Sequence, residues 1–140
     1  MLRSLLLIPL TVIALAACSA SATPVPSPVA VRLDESANGT TVTVAPGTPI
    51  ILELASNATT GYTWLPTTLP DDARVAMDEP AGGTYVAPSA EPGLTGAGGT
   101  QAWTFTAVAA GTTDLGLGYV RPWESGVAPI ETFAVTFVVK

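Results

Sequence analysis

The chain has 140 residues, of which 11 are acidic and 5 are basic, giving a formal net charge of −6. That balance excludes nucleic acids and anionic membrane surfaces as binding partners, because both require clustered lysine and arginine. The chain contains no histidine and one cysteine, which excludes histidine-dependent catalysis, the usual zinc sites and an internal disulfide. The acidic residues are scattered, so we expect no enzyme, no metal and no cofactor.

The N-terminal residues are predicted to be an export signal. Arg3 supplies a short basic region, and residues 5–14 are apolar but too few to span a bilayer as a stable helix. Residues 15–18 read Leu-Ala-Ala-Cys, which resembles the lipobox of bacterial lipoproteins, whose cysteine is acylated before cleavage in front of it. We therefore expect residues 1–17 to be removed and Cys18 to be lipidated. An ordinary signal peptide with an incidental cysteine is the alternative.

The remainder of the chain divides into a tether and one domain. Residues 18–28 are small, polar and rich in proline, which is typical of an extended linker. Residues 29–140 are long enough to bury a substantial core. Together with the predicted signal, this organisation predicts an exported protein of the bacterial cell envelope. It would touch the membrane only through the lipid on Cys18, and it is either retained there or released.

Within the domain, short segments alternate apolar and polar residues, and none keeps a helical period over three turns. The pattern predicts an all-β fold, an immunoglobulin-like Greek-key sandwich of about seven to eight strands without a disulfide. Turn residues such as Asn38-Gly39, Pro46-Gly47 and Ala110-Gly111 separate the strands, as does the turn-rich stretch from Pro80 to Gly99, which is dense in proline and glycine. The predicted inward-facing residues are Val42, Val44, Ile50, Leu52, Leu54, Tyr62, Trp64, Trp103, Phe105, Ala107, Leu115, Leu117, Tyr119, Phe133, Val135, Phe137 and Val139.

Three segments carry more specific residues than a simple turn requires. Residues 57–62 contain Asn57, which suits an Asx-turn, and Gly61, which suits a positive φ, so the loop is bent and displays two threonine hydroxyls. Residues 94–99 form a glycine-rich loop directly before a strand. Arg121-Pro122-Trp123 places a large aromatic side chain beyond the end of a strand, where an exposed tryptophan usually marks an interface.

Each segment also has a less specific interpretation. A glycine-rich loop can bind phosphate at the start of a helix, but here no helix follows the loop and no lysine is near it in the sequence. Trp123 can instead fold back onto the core. Residues 38–40 and 57–59 match the N-glycosylation sequon, but the lipobox points to a bacterial protein, in which we disregard that match.

The order of the three segments predicts that they lie together. In a Greek-key sandwich with strands A to G, they are the B–C, D–E and F–G connections, which emerge at the same end, as the binding loops of an antibody do. A rigid scaffold that presents three loops at one end is a protein-binding architecture.

In order and spacing, these segments, with Trp103 and Phe105 downstream of the second, resemble the three signature loops of the chagasin family. That family comprises protein inhibitors of papain-like cysteine proteases in protozoa and bacteria, and the resemblance runs from about Val29 to the C-terminus. It implies a reversible, competitive inhibitor that occludes the active-site cleft without a covalent adduct, and we expect a monomer. One departure is Ala58, where the family typically has proline.

The resemblance also implies a role for each loop. The loop with Thr59, Thr60 and Gly61 would lie over the catalytic cysteine and histidine of the protease, residues 94–99 would contact the non-primed side of the cleft, and residues 121–123 would contact the primed side. The alternative function is a non-inhibitory immunoglobulin-like surface lipoprotein whose loops bind another partner. The predicted protease-binding residues are Asn57, Thr59, Thr60, Gly61, Tyr62, Leu94, Gly96, Ala97, Gly98, Gly99, Arg121, Pro122 and Trp123.

Overall fold

The structure is a computed structural model that describes residues 27–78, 81–88, 96 and 98–140. The predicted signal, Cys18 and most of the tether lie outside the described residues, as do Leu94 and Ala97 of the predicted binding loops. In the part of the chain that is described, no helix has the length and apolar character needed to cross a membrane.

The described residues form β-strands joined by turns and two one-turn 3-10 helices, Glu35–Ala37 and Ala58–Thr60. Asp34 caps the first of these helices. Its carboxylate accepts hydrogen bonds from the hydroxyl and the backbone N–H of Ser36, which lower the pKa of Asp34. The strands are β1 Val31–Leu33, β2 Thr40–Val44, β3 Pro49–Ser56, β4 Thr63–Thr68, β5 Val75–Met77, β6 Thr84–Val86, β7 Gly99–Ala107, β8 Gly111–Val120 and β9 Glu131–Val139.

The strands make two sheets that face each other. One sheet has the order β1-β3-β7-β5, with β6 also paired to β7, and the other has the order β2-β9-β8-β4. The β1–β3 and β2–β9 pairs are parallel, and the remaining pairs are antiparallel. The predicted all-β immunoglobulin-like sandwich is confirmed.

The described residues contain nine strands, one more than the upper end of the predicted number, because one edge strand is divided. Both β5 and β6 pair with β7, the first at Phe105–Ala107 and the second at Thr100–Ala102. They therefore follow one another along the same neighbour. The sequence analysis assigned the β6 region to a turn-rich segment, and that assignment was wrong.

The core lies between the sheets and consists of the alternating apolar rows. Nearly all the predicted inward-facing residues are buried, and the exceptions, Val42 and Tyr62, are partly buried against the same cluster. Trp64 and Trp103 are both in the core, as predicted. Phe105 of one sheet and Phe137 of the other meet with their ring centroids 5.9 Å apart, so the two sheets contact each other through aromatic side chains.

A buried glutamine, which the pattern analysis did not single out, closes one side of the sandwich. The Oε1 atom of Gln101 accepts a hydrogen bond from the N–H of Trp64 at 2.9 Å, and its Nε2 atom donates to the Trp64 carbonyl at 2.9 Å and to the Gly82 carbonyl. The side-chain amide of Gln101 thereby satisfies both the N–H and the carbonyl of Trp64, as a neighbouring strand would. It joins β7 to β4, the strand that follows residues 57–62.

Candidate functional site

Three connections emerge at the same end of the sandwich. We call them the β3–β4 loop (residues 57–62), the β6–β7 loop (residues 87–98) and the β8–β9 loop (residues 121–130). Their shared position follows from the strand registers, in which Ser56 pairs with Gly99 in one sheet and Thr63 pairs with Val120 in the other. The β3–β4 loop passes from the first sheet to the second, so it lies between the other two.

The β3–β4 loop is a single 3-10 turn capped at both ends. The side-chain oxygen of Asn57 accepts hydrogen bonds from the N–H of Thr59 at 3.1 Å and from its hydroxyl at 2.6 Å. The hydroxyl of Thr60 donates to the Asn57 carbonyl at 2.7 Å. Gly61 ends the turn with φ +77°, a left-handed conformation that favours glycine. The Asx-turn and the positive φ agree with the sequence analysis, but the two hydroxyls brace the loop instead of pointing away from it.

A tyrosine of the core supports this loop from below. The hydroxyl of Tyr119 accepts a hydrogen bond from the N–H of Asn57 at 2.9 Å. Its ring lies 5.4 Å from the Tyr62 ring and 5.0 Å from the Trp64 ring, measured between centroids. The sequence pattern placed Tyr119 in the core, where it is, but gave no sign that its hydroxyl positions a loop.

Arg121 ties the β8–β9 loop to the β3–β4 loop. Its guanidinium carbon lies 4.4 Å from the centroid of the Tyr62 ring, within the range of a cation–π interaction. Its Nε atom donates to the Thr60 carbonyl at 3.3 Å, and Nη1 lies 3.2 Å from a carboxylate oxygen of Glu124. Glu124 was not among the predicted site residues. The guanidinium group is thus engaged within the protein, where it fixes the relative position of two loops.

Trp123 is exposed and rests against Gly61. Its exposed fraction is 67%, so the interpretation that it folds back onto the core is wrong. A Cβ atom placed on Gly61 would overlap Cη2 of the Trp123 ring and lie 2.9 Å from Cζ2. Position 61 therefore requires glycine for two reasons: the backbone has a positive φ, and the indole ring of Trp123 occupies the space that a side chain would need.

The described part of the β6–β7 loop lies beside Asn57. The side-chain amide of Asn57 donates a long hydrogen bond of 3.4 Å to the carbonyl of Gly96. A Cβ atom on Gly98 would be 3.8 Å from Cβ of Asn57, so these two residues are also adjacent. Gly99 begins β7 beneath the Tyr85 ring, whose atoms would leave a Cβ at position 99 too little room.

The structure thus brings the described members of the predicted site together at one end of the sandwich. The described residues include no group of three or more histidine, cysteine, aspartate or glutamate side chains able to hold a metal ion. What this end presents is a surface of fixed shape, with an exposed tryptophan, a braced turn and an arginine paired with a glutamate. Such a surface is suited to binding another protein.

A family model described as "Chagasin family peptidase inhibitor I42" matches residues 43–137 of the chain. The chain belongs to the chagasin family. Chagasin of Trypanosoma cruzi is 33% identical over 108 residues, which cover 74% of this chain and 93% of that protein. Amoebiasin-1 of Entamoeba histolytica is 36% identical over 93 residues, covering 65% and 82% respectively. Chagasin-family homologues are peptidase inhibitors and not enzymes, in agreement with the sequence analysis.

Solved structures show the same fold. The cysteine protease inhibitor EhICP2 from Entamoeba histolytica superposes with a TM-score of 0.70 at 24% identity, over 82% of this chain and 99% of its own. Amebosin, solved in solution, gives a TM-score of 0.58 at 31% identity, over 79% and 97%. PbICP-C, solved in complex with falcipain-2, gives 0.51 at 17% identity, over 79% and 98%.

The β3–β4 loop departs from the chagasin-family motif at one position. Ala58 stands where the family motif typically has proline, and it is the first residue of the 3-10 turn, directly after the capping Asn57. That first helical position tolerates proline well, because its N–H has no partner within the helix. Asn57, with φ −127° and ψ 95°, also lies outside the α region that a following proline disfavours.

Proposed function

We propose that this chagasin-family protein inhibits papain-like cysteine proteases by blocking the active-site cleft reversibly and competitively, and that it acts as a monomer. The observation that carries the proposal is the assembly of the family's signature loops at one end of the sandwich, with Trp123 packed on Gly61 and Arg121 joined to Thr60. Family membership supports it, as does the complex of the structural neighbour PbICP-C with falcipain-2.

The shape of the β3–β4 loop suggests why it would block the cleft without being cleaved. Residues 58–60 form a 3-10 turn and Gly61 is left-handed, so the loop offers no extended peptide segment across the catalytic residues. Its internal hydrogen bonds and the Arg121 contacts fix that shape before binding. Little conformational entropy is then lost on association, which favours tight binding without any covalent bond.

In this mode of binding each loop contacts a different region of the active-site cleft of the protease. Thr59, Thr60 and Gly61 cover the catalytic cysteine and histidine, and Trp123 fills the primed side of the cleft. Gly96 and Gly98 approach the non-primed side, together with Leu94 and Ala97, which lie outside the described residues. Arg121 contributes chiefly by fixing the β3–β4 loop and Trp123 in position relative to each other.

Titration of papain with the mature protein tests the proposal. Activity on a small peptide substrate should fall to zero at saturation, recover fully on dilution and show competitive kinetics, and the mass of the protease should not change. The alternative, a non-inhibitory surface binding lipoprotein, requires papain activity to be unaffected at every concentration. That outcome would remove the inhibitory function while leaving the family assignment in place.

Restoring the family proline should strengthen inhibition modestly. Ala58→Pro is expected to pre-order the β3–β4 loop, a gain of about 0.4–1 kcal/mol, which lowers the inhibition constant by a few-fold at most. The measurement is the inhibition constant against one papain-like protease. Ala58→Ser, which changes the side chain without restricting φ, is the matched control and should behave like wild type. Weaker binding by the proline variant would show that this loop needs a different backbone from the family's.

We further infer that the protein is exported and held at the cell envelope by lipid on Cys18, with residues 18–28 as the tether of the inhibitor domain. The sequence of residues 15–18 and the proline-rich linker support this inference. Mass spectrometry of the mature protein should find Cys18 at the N-terminus with two or three acyl chains, since a single chain anchors only marginally. The control Cys18→Ser should remain unlipidated; if it is processed like wild type, the lipobox interpretation is wrong.

A further inference from the structure

The second half of the β8–β9 loop carries apolar side chains that the proposed function leaves unused. Val127 is 58% exposed and Ile130 is 56% exposed, and we call these two side chains the shoulder. A small cleft is lined by Tyr62 of the β3–β4 loop, by the Arg121–Glu124 pair and by both residues of the shoulder. The shoulder is therefore continuous with the surface formed by the inhibitory loops.

The shoulder is held in a fixed position on the sheet. The N–H of Ile130 donates to the carbonyl of Tyr119 at 3.0 Å, which holds Ile130 beside the last β8–β9 pair, Tyr119 with Glu131. Pro129 lies directly on Gly118, where an added Cβ atom would be 2.8 Å from Cγ of the proline ring. Gly118 thus allows the loop to fold back against the outer face of β8. A partner that binds the shoulder would not have to order it first.

The chemistry of the shoulder favours an apolar, uncharged partner surface. Arg121 and Glu124, the charged residues that line the same cleft, neutralise each other across 3.2 Å. Exposed apolar residues of similar size, Leu69 and Val108, lie at the opposite end of the sandwich, beyond the last residues of β4 and β7. Exposure of an aliphatic side chain is common in itself. The shoulder differs in sharing a cleft with Tyr62 at the loop-bearing end of the sandwich.

We propose that Val127 and Ile130 form a second contact surface for the target protease, binding an apolar patch on the rim beside the primed end of its cleft. This inference rests on the proposed inhibitory function and extends it. The inhibitory loops block the cleft, whereas the shoulder adds affinity and distinguishes proteases whose rim is apolar from those whose rim is charged. Loss of the shoulder should therefore weaken inhibition but leave it complete at saturation.

The test compares Val127→Asp and Ile130→Asp with the matched controls Leu69→Asp and Val108→Asp, each in the full mature protein. With papain and a small peptide substrate, each shoulder variant should raise the inhibition constant about tenfold or more, mainly through faster dissociation. The controls should stay within about twofold of wild type, because isolated surface changes have small effects. Thermal unfolding should be unchanged in all four, and a Val127→Ala/Ile130→Ala double variant should reproduce the direction without adding charge.

Three outcomes overturn the inference. In the first, the wild-type protein inhibits papain but the inhibition constants of the shoulder variants stay within about twofold of the wild-type value. The proposed function then stands without the shoulder. The second is a wild-type dimer in sedimentation that Val127→Asp dissociates, because a second copy of the chain would then cover the shoulder. The third is a wild-type protein that fails to inhibit, which removes the inference together with the function on which it rests.

Discussion

Trp123→Ala should raise the inhibition constant against a papain-like protease about thirtyfold or more, a loss of about 2 kcal/mol of binding free energy. The indole ring is 67% exposed in the free protein, so it has a large apolar surface still to bury on binding. Its remaining contact with Gly61 holds it in one orientation, which reduces the entropy lost in the complex. Large, rigid aromatic side chains of this kind dominate the energy of protein interfaces.

The folding stability of the same variant should change by about 1 kcal/mol or less, because most of the ring is already in water. Trp64→Ala is the informative comparison. Trp64 is 3% exposed, so the identical substitution there should cost about 3–5 kcal/mol of unfolding free energy. Inhibition constants and chemical unfolding curves of both variants measure the two effects. If Trp123→Ala loses several kcal/mol of stability and still inhibits, Trp123 is a structural residue.

Alternation of apolar residues was enough to predict most of the core, because a long strand that faces the other sheet must bury every second side chain. The rows in β3, β7, β8 and β9 were predicted for that reason. β6 was missed because it has three residues, all exposed, and its position depends on pairing with β7. Gln101 occupies an inward position in β7 that pattern analysis reserves for apolar residues, and its hydrogen bonds to the backbone of Trp64 and Gly82 explain it.

The site was predictable where local chemistry determines it. Asn57 and Gly61 predict a capped turn that ends with a positive φ. In the structure Asn57 caps the start of the turn and Gly61 ends it with φ +77°. The contacts between loops were not predictable, since they join residues far apart in the chain. Arg121 donates to Thr60 across 61 positions, and Tyr119 accepts from Asn57 across 62. The sequence analysis predicted that Arg121 contacts the protease, and that contact stays a prediction; what it missed is that the guanidinium group also has partners within the protein.

Gly61→Val is expected to have the largest effect on inhibition, about a hundredfold or more. Any side chain at φ +77° is strained by about 1–2 kcal/mol, and a β-branched one more so. The loop relieves that strain by adopting another conformation, one that cannot bind the protease. If the binding conformation is disfavoured by about 1.4 kcal/mol, the affinity falls about tenfold for this reason alone. The new Cβ atom also displaces the Trp123 ring, so the contribution of Trp123 to binding is lost as well.

Gly47→Val separates the effect on the site from the effect on the fold. Gly47 has φ +83°, and a Cβ atom there would have no atom within 4 Å, in a turn at the opposite end of the sandwich. Both variants should therefore lose similar unfolding free energy through backbone strain, but only Gly61→Val should lose inhibition. Equal inhibition by Gly61→Val and wild type would mean that the β3–β4 loop does not enter the cleft.

A double variant separates the two causes of the Gly61→Val effect. In a Trp123→Ala background the indole ring is absent, so the added side chain at position 61 meets only the strain of the positive φ. The same substitution should then weaken inhibition by about tenfold instead of a hundredfold, and the difference is the coupling between the two residues. Additive effects would show that Gly61 and Trp123 act independently in the complex. A coupling of about tenfold would show that the β3–β4 and β8–β9 loops bind the protease as one rigid unit.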